Sequence, residues 1–182
     1  EIPPSLGNAF GADKVTIVVP SHGDVASMKR YENLAAIWSK DSKMNIVRDD
    51  EIEALPTEGG IWVLGTENRF HNIVSEALTD YNVASDSSAV TFKGRPITFA
   101  DNSTVIAVRN PANPESVIVG LTVHSDASLE GLLRKLPHYG KYSYLAFTGD
   151  APDNVEKGEW AAVGSPLTAI MNKDVQSSAK LE

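Results

Sequence analysis

Serine, threonine, histidine and carboxylate side chains gather at three places along this 182-residue chain: Ser21-His22-Gly23-Asp24, Gly65-Thr66-Glu67-Asn68-Arg69 and His124-Ser125-Asp126. Each group follows a short apolar run and precedes a helical pattern. In an open α/β sheet such loops sit at the carboxyl ends of the strands, where ligands bind. If the sheet brings them to one edge, Ser21, His22, Thr66, Glu67, Asn68, His124 and Ser125 become candidate ligand-binding residues. The set holds nucleophile, base and carboxylate types. Its two imidazoles and one carboxylate are also donors for a divalent metal.

A plainer reading of the same residues is the stronger one. Ser, Thr, Asp and Asn precede helices because their oxygens accept from free first-turn amides. The patterns that chemistry demands are missing. No G-x-S-x-G supplies a strained nucleophile turn, and no glycine-rich phosphate loop occurs. The amides after Gly65 suit an anion, but Glu67 and the acidic balance oppose one. No H-E-x-x-H exists, and His71 and Glu76 lie five residues apart, off a common helical face. His71 therefore reads as a partly exposed helix residue. No catalytic residue, metal ligand or cofactor site is assigned to this chain.

The elements that would position these loops follow from periodicity. Val15–Val19, Met44–Val47 and Ile61–Leu64 are short apolar runs of the kind found in buried parallel strands. Asp24 is a candidate N-cap. Val25, Met28, Tyr31, Leu34, Ala35 and Trp38 then recur at helical spacing, as do Phe70, Ile73, Val74, Ala77, Leu78 and Tyr81. Residues 49–55 predict a turn or two of helix. Next come strands at Ala89–Phe92, Pro96–Phe99, Thr104–Val108 and Val117–Val123, joined by the turn segments 93–95 and 110–114. Leu129, Leu132, Leu133 and Leu136 predict a further helix, ended by Pro137 and Gly140, and Tyr142–Phe147 a last strand. Beyond Asp150 the chain reads as irregular, with Trp160 as an anchor.

Strand-helix alternation of this kind specifies an α/β fold. The expectation is a three-layer sandwich: a mixed, mainly parallel sheet flanked by helices, with antiparallel hairpin strands added at one edge. Residues 1–13 read as a lead-in, 14–171 as a single domain, and 172–182 as a flexible tail with a tag remnant. The chain starts at Glu1 and closes on Leu181-Glu182, a pair often left by an expression tag. The expectation is a piece excised from a longer protein.

Composition excludes several classes. Sixteen Lys and Arg against 24 Asp and Glu give a net charge of −8, which opposes nucleic-acid binding. No apolar run reaches the roughly 20 residues of a membrane span. With no cysteine, disulfides, thiolate metal sites and a cysteine nucleophile are excluded.

The most distinctive tract is aromatic. Tyr142 and Tyr144 are expected on one face of a strand. With His138, Tyr139 and Trp160 they read either as a core edge closed by amphipathic rings or as an interface to a neighbouring domain.

The segment Leu136-Pro137-His138-Tyr139-Gly140-Lys141-Tyr142-Ser143-Tyr144-Leu145-Ala146-Phe147, with Gly149-Asp150, Asn154, Lys157-Gly158 and Trp160, resembles a region near the C-terminus of large bacterial metallopeptidases of the aminopeptidase-N (gluzincin) family. Ile61–Phe70 resembles another part of the same region. The resemblance covers about 25 residues well and the rest loosely. It implies a non-catalytic accessory or interaction domain of a secreted, periplasmic or membrane-associated hydrolase. Zinc would be held in the parent's catalytic domain, and the partners would be other domains of the same polypeptide. The competing expectation is a module that binds a small molecule or anion at the strand ends.

Overall fold

The computed structural model describes residues 2–40 and 44–162. The expected tail from residue 172, and the last part of the expected domain from 163, lie outside the described residues.

The first strand, β1 (Val15–Val19), is buried along its whole length, as its nearly continuous apolar run requires. Asp24 then caps α2 (Val25–Ser39), its carboxylate accepting from the amides of Ala26 and Ser27. The helix turns Tyr31, Leu34 and Ala35 inward. It leads to β2 (Met44–Arg48), a half-exposed edge strand parallel to β1. Residues 49–55 form turns rather than the predicted helix. On the other side of β1 lies β3 (Gly60–Leu64), also parallel and fully buried. It is followed by α3 (His71–Ala77) and a single 3-10 turn, Leu78–Tyr81.

Three short strands come next, β4 (Ala84–Ser85), β5 (Ala89–Phe92) and β6 (Arg95–Thr98). They form a small antiparallel sheet of their own. The long hairpin β7 (Asn102–Asn110) and β8 (Asn113–Thr122) then enters the main sheet, with β8 parallel to β3. Next is α4 (Asp126–Lys135), and β9 (Tyr144–Thr148) pairs antiparallel with β7. The strand order is β10-β9-β7-β8-β3-β1-β2, where β10 is Asp153–Gly158.

The fold is thus mixed α/β around a seven-stranded mixed sheet, and three details of the expectation change. The sheet is not mainly parallel: three of its six strand pairings are parallel and three antiparallel. The hairpins do not sit together at one edge, since β7 and β8 are interior strands and β5–β6 leave the sheet. The tract after Asp150 supplies an edge strand rather than irregular chain.

Both faces of the sheet are covered. One face packs Ile17, Trp62, Leu64, Val119 and Phe147 against Tyr31 and Leu34 of α2 and Leu132 of α4. The other packs Val18, Ile61, Val63 and Ile118 against Val74 and Ala77 of α3. On this second face α3 shares the cover with the small sheet, through Val90, Phe92 and Ile97.

Residues 1–13, read as a lead-in, contain a helix built into the core. This is α1 (Leu6–Phe10), capped by Ser5, with Leu6 and Ala9 buried. Its Leu6 and Gly7 amides donate to the carbonyls of Tyr142 (3.0 Å) and Gly140 (2.7 Å). Its Ala9 backbone lies against Gly60, where a β-carbon would come within 2.3 Å of the Ala9 oxygen.

Candidate strand-end site

Chain direction creates the site. After β1 and β8 the chain turns to the face that carries α2 and α4, whereas after β3 it turns to the face that carries α3. Because β3 lies between β1 and β8, neighbouring loops diverge and open a crevice at the strand ends. The three polar loops do meet there, in two separate groups.

The first group surrounds Asp49, at the end of β2. Its Oδ1 accepts from the Ser21 amide (2.9 Å) and its Oδ2 from the Arg69 amide (2.8 Å). Asp49 is only 1% exposed. Burial pushes its carboxyl up, but the Ser21 hydroxyl, the Arg69 and Ser21 amides and nearby His22 outweigh this and hold it below the ordinary carboxylate value. Ser21 Oγ lies 2.8 Å from His22 Nδ1. The Glu67 stem packs over Gly23, which has φ +116° and where a β-carbon would come 3.0 Å from Glu67 Cγ. Asn68 is buried: its amide donates to the carbonyls of Val18 (2.9 Å) and Leu64 (3.1 Å), and its oxygen accepts from the Phe70 amide. That side chain locks β1 to β3 and starts α3, so it is spent on the fold rather than offered to a ligand.

The second group lines a cleft of about 320 Å³ that includes Ser27, Arg30, Thr66, Ser87, Phe99 and His124. His124 Nδ1 donates to the Ala100 carbonyl (2.7 Å), because a carbonyl oxygen can only accept. Its Nε2 lies 3.8 Å from Asp150 Oδ1. Ser125 caps α4 in a capping box with Ser128 and donates to Asp150 Oδ1 (2.6 Å). Arg30 donates from Nε to Asp126 (2.7 Å) and from Nη1 to the Val123 carbonyl (3.2 Å). Tyr31 closes the floor, its hydroxyl accepting from the Val123 amide. Burial pushes the Tyr31 hydroxyl up against the opposing pull of the Val123 amide and Arg30.

Neither serine is set up as a nucleophile. A relay needs the base between serine and carboxylate, with its second nitrogen held by the carboxylate. Ser125 instead donates directly to Asp150, and Asp49 holds the Ser21 amide rather than the His22 ring. Among the described residues no group of three or more His, Asp or Glu is placed to hold a metal ion. His71, read as partly exposed, is half-buried with its ring edge-on to Phe99 (5.6 Å between centroids), and burial holds it below the ordinary histidine value against the pull of Glu67.

The aromatic tract divides between the two faces. Tyr142 precedes β9 and packs with Tyr139 toward Phe147, whereas Tyr144 points to the opposite face. The expectation of one shared face is corrected, because the strand begins only at Tyr144. Tyr144 and Trp160 are buried, 6% and 7% exposed, in a stack with Tyr81 and Phe92. Trp160 Nε1 donates to the Ala107 carbonyl (2.8 Å). Their rings are used inside the domain. His138 is exposed, and Tyr142 is half-buried with Lys141 and Lys157 over its ring at 5.0 and 5.8 Å.

Compared with known proteins, the chain matches no family model, and no curated protein is significantly similar to it. Asp49, Arg30 and Asp150 organise the strand ends and were not singled out from sequence. Asp49 had a readable signal, since it directly follows a strand as the other three loops do. Arg30 and Asp150 had none, because each acts on a residue at least 25 positions away.

Proposed function

We propose that this chain is a non-catalytic accessory domain of a larger bacterial hydrolase of the aminopeptidase-N-like zinc metallopeptidase kind. One observation supports the non-catalytic part: three of the polar side chains at the strand ends, Asn68, Asp49 and Ser125, are committed to the domain's own loops. The parent's identity rests on the resemblance of residues 136–160, which include β9 and β10. On this reading zinc belongs to another part of the parent, and the parent works in the periplasm or outside the cell. The half-buried Tyr139 and Tyr142, with exposed His138, are the surface offered to neighbouring domains.

The test is direct. The purified chain, supplied with zinc, is assayed on aminoacyl p-nitroanilides. No turnover above buffer is expected, and zinc-dependent turnover that chelation removes overturns the reading.

A second reading is favoured by the cleft between the ends of β3 and β8. Its lining includes hydroxyls that the fold leaves unused, in the place where α/β sheets bind small molecules. On this reading the chain is a small-molecule-binding module. A thermal-shift screen against metals, nucleotides, phosphate, sugars and short peptides tests it, a flat screen counting against it.

A further inference from the structure

We propose that the cleft between the ends of β3 and β8 binds a small neutral polyhydroxylated ligand, of monosaccharide size, and the proposal rests on the second reading above. The cleft's volume, about 320 Å³, lies at the lower end of the range for small-molecule sites. That suits one sugar ring and excludes a dinucleotide. A larger cavity, about 440 Å³, lies at the β7–β8 hairpin end of the sheet among Ile73, Ala77 and Ile118. It is mostly apolar, and its Asn110 amide is already bound to the Pro56 carbonyl.

The polar groups of the strand-end cleft define the class. The hydroxyls of Ser27, Thr66 and Ser87 make no hydrogen bond to any other described residue. A hydroxyl both donates and accepts, so three of them match a ligand whose own groups do both. His124 adds its Nε2 to the lining, since its Nδ1 is spent on the Ala100 carbonyl. Phe99 supplies an apolar wall for the carbon-bound hydrogens of a sugar face.

Charge argues against an anion. The cation in the cleft wall, Arg30, is only 14% exposed and already bound to Asp126. Asp150 stands beside His124. With −8 on the whole chain, an incoming carboxylate or phosphate meets two nearby carboxylates and no unpaired arginine.

The experiment is amide chemical-shift titration of the ¹⁵N-labelled chain with D-glucose, D-galactose and D-mannose in turn, and with inorganic phosphate and acetate. One of the sugars is expected to shift the Thr66, Ser87 and His124 amides saturably. Thr66→Val, which removes the hydroxyl at nearly constant volume, is expected to weaken that sugar about tenfold, and Ser87→Ala, at an exposed position, to weaken it without touching the fold. Saturable shifts of these amides by phosphate or acetate but by no sugar overturn the polyol class and leave the strand-end reading standing. No response there to any probe overturns both. A sugar response elsewhere, or one that both variants leave unchanged, overturns the assignment to this cleft.

Discussion

The Tyr31 hydroxyl accepts the Val123 amide at 3.0 Å, tying the middle of α2 to the end of β8 across 92 residues of sequence. That contact sets one wall of the strand-end cleft. It also satisfies a buried amide that has left the sheet ladder, since Tyr31 and Val123 are each about 4% exposed. Tyr31→Phe keeps the ring and strands the amide, which costs about 1–3 kcal/mol. Urea denaturation of the two proteins measures it. A loss below a few tenths of a kcal/mol would mean that water takes the hydroxyl's place.

Asp49 makes stability depend on acid. Its carboxyl is held below the ordinary value of 3.8 in the folded chain, so the folded state favours the ionised form. The stabilisation is complete above the unfolded value, near pH 4, and is lost as pH falls through the lower folded value. Asp49→Asn keeps the shape but brings amide hydrogens toward the Ser21 and Arg69 amides. It is expected to destabilise by about 1–3 kcal/mol at neutral pH, the gap to wild type closing as pH drops below about 4. Thermal melts of both proteins across that range check the sign, and a gap that stays constant with pH rules Asp49 out as its source.

Much of this frame was legible because local pattern and burial coincide. Val15–Val19 and Ile61–Leu64 are buried on both faces and read as nearly continuous apolar runs. Asp24 announces α2 because capping is a local interaction. What could not be read is what depends on distant partners. Short apolar segments between turns mark β5 and β7 equally as strands, but nothing local says that β7 joins the main sheet and β5 lies across its face. The outermost strand β10 is polar (DNVEKG) and so lacks the apolar signal altogether. Five residues are too few for α1 to show a helical period, and its stability comes from docking. The candidate loops were found by residue type. Which of them serve the fold, as Asn68 does through the Val18 carbonyl, and which face a cleft, as Thr66 does, is decided by contacts distant in sequence.

The docking of α1 rests on a missing side chain. At Gly60 a β-carbon would sit 2.3 Å from the Ala9 oxygen and 2.8 Å from its α-carbon, both backbone atoms that cannot rotate away. Gly60→Ala therefore has to push α1 off β3, at about 1–3 kcal/mol. Hydrogen exchange should quicken first at Gly11, whose amide bonds to Gly7 within α1, while the β1 and β3 amides stay protected. Uniformly unchanged exchange would mean that the helix shifts without loosening.

Trp160 separates the core from the surface part of the aromatic tract. Its ring stacks on Tyr81 at 4.7 Å and meets Tyr144 at 4.6 Å, and its indole nitrogen holds the Ala107 carbonyl of an interior strand. Trp160→Ala removes the ring, the stacking and that hydrogen bond together, and is expected to cost about 3–5 kcal/mol. His138 stands exposed at the other end of the tract, and His138→Ala should stay within about 0.5 kcal/mol of wild type. The pair is measured by urea denaturation followed through far-ultraviolet circular dichroism, which does not depend on the tryptophan itself. If Trp160→Ala proved as mild as His138→Ala, the indole would be a surface ring and the interface would have to be drawn to include it. If it costs what its burial implies, a neighbouring domain has only the Tyr139–Tyr142 corner with its flanking lysines to grip, and variants aimed at domain association belong there.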